Sequence, residues 1–154
     1  MRPLLLLDVD GVLMPLGSSV PRGYERHVAE SYNLVASSQH GVWLHELSEG
    51  FEIVWATTWE DSANDTFGIL FELPRFDFVE LTNLPRHGTR KLNAVKAFVG
   101  NRPAAWIDDE LYDDAAEWAA ERPEPTLLVR PAPYVGLTEE HVASLQRFLK
   151  ASGN

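Results

Sequence analysis

Apolar positions along the chain gather into five short runs, separated by stretches of helical spacing or of turn residues. Leu4 to Leu7 are four leucines in a row behind Pro3, too short for a free-standing helix. They predict a strand buried on both faces, of the kind found at the centre of a parallel sheet. Phe51 to Ala56 predict a second strand, Phe76 to Glu80 a shorter third, Ala104 to Ile107 a fourth and Thr126 to Val129 a fifth. Between them, Leu92, Val95, Phe98 and Val99 share one helical face that Gly100 ends, and Leu111, Ala115, Trp118 and Ala119 mark another. A helix is also expected from about Ser62 to Leu70, and a last one whose inner face is Val142, Leu145, Phe148 and Leu149, capped by Thr138. Strands alternating with helices predict an α/β fold with a parallel sheet and right-handed crossovers.

Residues 14 to 40 break this rhythm. Pro15, Gly17, Pro21 and Gly23 punctuate the first part, and His27 to Glu30 with Asn33 to Ser37 predict a hairpin turning near Ser31. Val42, Leu44 and Leu47 predict a short helix ending at Gly50. About 40 residues separate Gly11 from the second strand, room for a small flap rather than a folded cap domain. The expectation is one domain over 1–154 with a flap insert at about 14–40.

Composition narrows the class. Hydrophobic residues make up 45% of the chain, which excludes a disordered protein. There are no cysteines, so disulfides, thiolate metal sites and cysteine nucleophiles are excluded. Asp8 and Asp10 interrupt the leucine run before a signal-peptide core can form, and no stretch approaches transmembrane length, so a cytoplasmic protein without membrane contact is expected. A net charge of −10 argues against nonspecific nucleic-acid binding, which depends on Lys and Arg neutralising phosphates, yet leaves room for a local basic pocket.

The candidate chemistry lies at the strand ends. The first strand runs into Asp8-Val9-Asp10-Gly11, the second into Thr57-Thr58-Trp59 and the fourth into Asp108-Asp109, while Lys91 opens the helix before the fourth strand. Open α/β sheets bind ligands at the carboxyl ends of their strands. Carboxylates converging there are expensive without a cation, and magnesium takes hard oxygen ligands. A phosphate dianion wants that metal, a lysine and hydroxyl or N–H donors, and a carboxylate can attack phosphorus to form an aspartyl-phosphate. Taken singly, these residues have plainer readings. Asp-Val-Asp-Gly is also an ordinary turn, acids favour helix N-termini, and a Thr hydroxyl often bonds its own backbone. Arg90 and Lys96 compete with Lys91 for the phosphate. Trp59 either stacks on a base or packs under the flap, Glu60 and Asp61 read as helix-start charges, and Arg86 and His87 are expected in solvent. His27, His40, His45, His87 and His141 show no metal-ligand spacing, which argues against zinc.

In this order the motifs resemble the haloacid dehalogenase-like (HAD) phosphohydrolase superfamily, in its capless form. Asp8-Val9-Asp10-Gly11-Val12 looks like the first motif, Thr57 the second, Lys91 the third and Asp108-Asp109 the fourth. The resemblance implies a Rossmann-like three-layer sandwich whose five-stranded sheet has the order 5-4-1-2-3. It also implies Asp8 as nucleophile and Asp10 as acid and base. Thr57, Thr58 and Lys91 would hold the phosphate, and Mg2+ would sit on the Asp8 carboxylate, the Asp10 carbonyl and Asp109 or Asp108. Trp55-Ala56-Thr57-Thr58-Trp59-Glu60 and Trp106-Ile107-Asp108-Asp109 are similar to HAD domains of bacterial Swiss Army Knife RNA-repair proteins. That narrower likeness implies a phosphorylated polynucleotide end as substrate. A capless site is open, which suits such bulky substrates, or else needs a partner to close over a small phosphoester. The competing reading is a receiver-like or noncatalytic phosphate-binding signalling module. Receivers place Lys after the fifth strand, whereas Lys91 precedes the second acidic pair. Oligomeric state is left open by the sequence.

Overall fold

The four leucines of β1 (Leu4–Leu7) divide the molecule, because alternate residues of a strand face opposite ways. In the computed structural model, which describes residues 1–152, Leu5 and Leu7 enter one apolar core and Leu4 and Leu6 the other. The first core is closed by Leu44 and Leu47 of α1 (Ser38–Leu47) and Val142 and Leu145 of α4 (Glu139–Ser152). The second is closed by Val95 and Val99 of α2 (Leu92–Val99) and Ala115 of α3 (Asp113–Glu121). Helices therefore cover both faces of a sheet that is apolar on both faces, the three-layer arrangement expected of such strands.

The sheet is parallel and joins β1 to β4 (Glu52–Trp55), β5 (Asp77–Phe78), β6 (Ala104–Ile107) and β7 (Thr126–Val129) in the order β5-β4-β1-β6-β7. Counting only this sheet's strands, that is the expected 5-4-1-2-3; the labels shift because two hairpin strands intervene in the chain. Leu4 pairs with Glu52 on one side and Ala104 on the other, so β1 is central. The predicted third strand shrinks to Asp77–Phe78, although the Val79 N–H still reaches the Trp55 carbonyl at 2.8 Å.

The flap is the hairpin β2 (Glu25–Ala29) and β3 (Tyr32–Ala36). Its turn is Glu30-Ser31, with φ of 51° and 69°, the left-handed pair that a tight two-residue hairpin requires. The helical stretch over 62–70 is present, but its centre, Asn64–Gly68, is a π-helical turn. Asn64 is buried there and ties Trp55 to the chain before β5. Its Oδ1 accepts the Trp55 indole N–H at 2.8 Å and the Phe76 N–H at 2.9 Å. Leu111, expected on the inner face of α3, is buried but precedes that helix. Among the described residues, no helix is long and apolar enough to cross a membrane.

Two histidines make the fold sensitive to acid. His40 of α1 is buried, and its Nε2 bonds the Leu137 carbonyl at 2.9 Å, so that nitrogen carries the hydrogen. Burial pushes the His40 pKa below its ordinary 6.5. Thr138 precedes α4 as expected, but its N–H and hydroxyl both engage Nδ1 of His141, at 3.0 and 3.1 Å, an arrangement that needs an unprotonated Nδ1. Burial lowers the His141 pKa as well. A depressed folded pKa means the unfolded chain binds more protons. Stability is therefore full above about 6.5 and falls as pH drops through the lowered values. The expected result is a histidine contribution to the melting temperature that declines from about pH 7.5 to pH 5, read as the difference in slope between wild type and His40→Gln. One proton can contribute at most about 1.4 kcal/mol per pH unit. An unchanged slope in His40→Gln would remove His40 from this account.

Candidate active site

Strand pairing carries the polar residues to one edge of the sheet. The ladder continues one residue beyond the strands: Asp8 N–H bonds the Ile107 carbonyl at 3.1 Å, Ala56 N–H the Leu7 carbonyl at 2.8 Å, and Asp108 N–H the Val129 carbonyl at 3.1 Å. Asp8, Ala56 and Asp108 thus leave adjacent strands at one level, and Thr57 follows one residue beyond. Beyond Asp8 the chain curls tightly, with the N–H groups of Val12, Leu13 and Met14 all directed to the Val9 carbonyl. Gly11 permits this curl, since its φ is +78° and a Cβ there would lie 2.5 Å from the Asp109 carboxyl carbon.

Asp8 and Asp108 are nearly inaccessible, at 4% and 1% exposure. Together with the half-buried Asp109 they offer oxygens that all lie within 4.8 Å of one another. Lys91, the residue preceding α2, is set among them. Its ammonium donates to Asp108 Oδ2 at 2.7 Å and the Ala56 carbonyl at 3.0 Å, and pairs with Asp8 Oδ1 at 3.0 Å. The loop that delivers Lys91 is fixed by Thr89, whose hydroxyl donates to Asp114 Oδ1 at 2.6 Å and accepts the Tyr112 N–H at 2.8 Å.

Burial, then the charge of Asp108, pushes the Asp8 carboxyl well above its ordinary value against the pull of Lys91. Burial and then Asp108 also raise Asp109. For Lys91, burial works to lower the pKa, and the charges of Asp8 and Asp108 outweigh it, holding the ammonium above its ordinary range. One ammonium facing three carboxylates leaves an excess of negative charge in a low-dielectric place. The donors are all hard oxygens, with no imidazole or thiolate among them. The set fits a divalent cation such as Mg2+ and does not fit a structural zinc.

A cavity of about 220 Å³ opens on this cluster, lined by Asp8, Asp10, Thr58, Lys91, Asp108 and Asp109, and also by Leu16, Leu84, Arg90 and Glu110. Its size suits a phosphoryl group better than a whole drug-sized ligand. Of the expected phosphate ligands, Thr58 is exposed and lines the cavity. Thr57 is fully enclosed, does not line it, and its hydroxyl accepts the Trp59 N–H at 3.2 Å. Arg90 lines the cavity beside Lys91, whereas Lys96 lies exposed on α2 away from it. Arg86 and His87 are in solvent as expected. Asp61 bonds Arg75 at 2.9 Å, and Glu60 accepts the Leu81 N–H at 2.7 Å, both structural contacts.

Sequence reasoning missed three features of the site. The Trp59 indole N–H donates to Asp10 Oδ2 at 3.0 Å. Arg130 donates from Nε to the Asp109 carbonyl at 3.1 Å while lying 4.9 Å over the Tyr112 ring. Asp114 anchors Thr89. None has a sequence signal, because each partner is tens of residues away.

Residues 4–142 match the family described as the HAD domain in Swiss Army Knife RNA repair proteins. The chain belongs to that family. No curated protein gives a significant match. The HAD domain is a phosphatase-type hydrolase, and its acidic cluster could hold the Mg2+ that HAD enzymes generally use.

Proposed function

We propose that this HAD domain hydrolyses phosphomonoesters in the presence of Mg2+, with a phosphorylated polynucleotide end as substrate and an aspartyl-phosphate on Asp8 as intermediate. The observation that carries this reading is a buried Asp8 facing a small cavity, with Lys91, Asp108 and Asp109 around it. Asp8, Asp108 and Asp109, with the Asp10 carbonyl, would hold Mg2+, which when bound would supply positive charge to the phosphate oxygens. Asp8 attacks phosphorus, the bond to the ester oxygen breaks, and the departing oxygen takes a proton from the Asp10 carboxyl. Asp10 then takes a proton from the water that attacks phosphorus, so that phosphate leaves and both carboxyls return to their first state. Lys91 opposes the rise in the Asp8 pKa and aims its carboxylate; Thr58 and Arg90, which line the cavity, would meet the phosphate oxygens.

The polynucleotide end rests on the family's association with RNA repair and on the open mouth of the cavity; the charge of −10 does not support it. The test is Mg2+-dependent phosphate release from oligonucleotides carrying 3′- or 5′-phosphates, nucleoside monophosphates, sugar phosphates and a phosphopeptide. Oligonucleotide ends are expected to be preferred by at least about tenfold in kcat/KM, a difference of roughly 1.4 kcal/mol. Preference for a small metabolite would discard the polynucleotide end and keep the phosphatase. Absence of release from any substrate, with Mg2+ bound, would replace the enzyme by a phosphate-binding module.

A further inference from the structure

We infer that Trp59 is a positioning residue for Asp10, held in place by the flap. Trp59 is half-buried just beyond β4, where its own N–H is fixed on the Thr57 hydroxyl. Its indole N–H reaches Asp10 Oδ2 at 3.0 Å, and its ring packs at a tilt of 44° against Tyr32 of the flap, with centroids 5.2 Å apart. Phe67 of the π-helical turn packs edge-on against the same indole at 5.7 Å. Tyr32 adjoins the Glu30-Ser31 turn, so the tip of the flap is linked through one side chain to a carboxylate lining the cavity.

The chemistry of this contact is directional. An indole nitrogen donates and never accepts. The Asp10 oxygen it holds serves as the acceptor, and because a carboxyl O–H oxygen is the poorer acceptor, a proton on Asp10 is favoured on Oδ1. Trp59 thus biases the proton toward Oδ1 and holds the plane of the carboxyl group. A free carboxylate would share the proton between two oxygens and rotate. Loss of such aim by about 1 Å is enough to slow a proton transfer by roughly 100-fold.

This inference rests on the reading of Asp10 as general acid, and the test separates the two. Leaving-group release is measured in a single turnover for two substrates, p-nitrophenyl phosphate and the best unactivated ester from the panel above. The nitrophenolate departs without a proton; an alkoxide does not. Trp59→Phe keeps an aromatic ring between Tyr32 and Phe67 but removes the N–H together with the pyrrole half of the indole. It is expected to slow release from the unactivated ester about 10- to 100-fold, and from the aryl ester less than about threefold. Tyr32→Ala, which keeps the N–H and removes its brace, should show the same selectivity more weakly. A partly unfolded sample loses both substrates alike, so the ratio within one variant reads aim and not folding. Equal loss on both substrates, or no loss on either, would reduce Trp59 to packing and overturn the inference. Asp10→Asn run in parallel should show the larger selective loss. If it does not, the acid role of Asp10 falls and the inference with it. If it does and Trp59→Phe behaves as wild type, only the role of Trp59 falls.

Discussion

Asp8→Asn is expected to lower turnover by roughly 10⁴-fold or more while leaving the melting temperature unchanged or raised. The two halves of this result have one cause. Asp8, like Asp108, faces both the cavity and Lys91, and an amide of the same shape cannot attack phosphorus. The same burial that isolates it raises its pKa, so the folded state binds the proton more tightly than the unfolded chain does. Stability contributed by that group falls as pH rises above its ordinary value near 3.8, and at neutral pH the ionised form is a burden on the fold. Asn removes the charge and leaves Lys91 its bonds to Asp108 and the Ala56 carbonyl. Phosphate release and thermal melting on one preparation check both halves. Residual activity within about tenfold of wild type would sink the nucleophile assignment.

Lys91→Met should instead damage the fold. The substitution leaves two nearly inaccessible carboxylates, Asp8 and Asp108, facing each other without their shared counter-charge. Removing one partner of a buried ionic cluster costs about 3–5 kcal/mol, or a melting temperature lower by roughly 10 °C for a chain of this size. Millimolar Mg2+ should recover a large part of that loss, because the metal would take over the compensation of the same carboxylates. Melting curves with and without Mg2+ read this directly. A variant as stable as wild type in a chelator would mean that Asp8 and Asp108 are not both ionised beside Lys91.

Much of this was legible because it depends on local pattern. Leu4 to Leu7, Ala104 to Ile107 and Thr126 to Val129 are short apolar runs that only a doubly covered sheet accommodates, and each is a strand with those limits. The acidic pairs were legible because they sit directly on the ends of such runs. The third strand was overread, since Asp77 is polar and an edge strand carries a weaker apolar signal than a central one. The π-helical turn was invisible: Asn64 within it bonds Trp55 and Phe76 across the fold, contacts no local pattern announces. Thr57 and Thr58 could not be ranked from their order alone. Which of two successive hydroxyls faces a cavity is decided by the curl of the chain after β4, and here the second does. The link from Tyr32 through Trp59 to Asp10 was out of reach for the same reason, as it needs the flap folded back over the strand ends.

The central position of β1 has a consequence for the life of the chain before it is an enzyme. Leu4 to Leu7 are synthesised before any other strand of the sheet, yet their partners are Glu52 to Trp55 and Ala104 to Ile107. The most apolar strand therefore waits on the ribosome, first for one neighbour and then for the other, with an open hydrogen-bonding edge in the meantime. Pairings between such distant segments form slowly, and an unpaired apolar edge is where nascent chains associate. The pocket is completed only when Asp108 and Asp109 follow β6, so a stalled or truncated product ending before β6 would carry Asp8 and Asp10 without the second acidic pair.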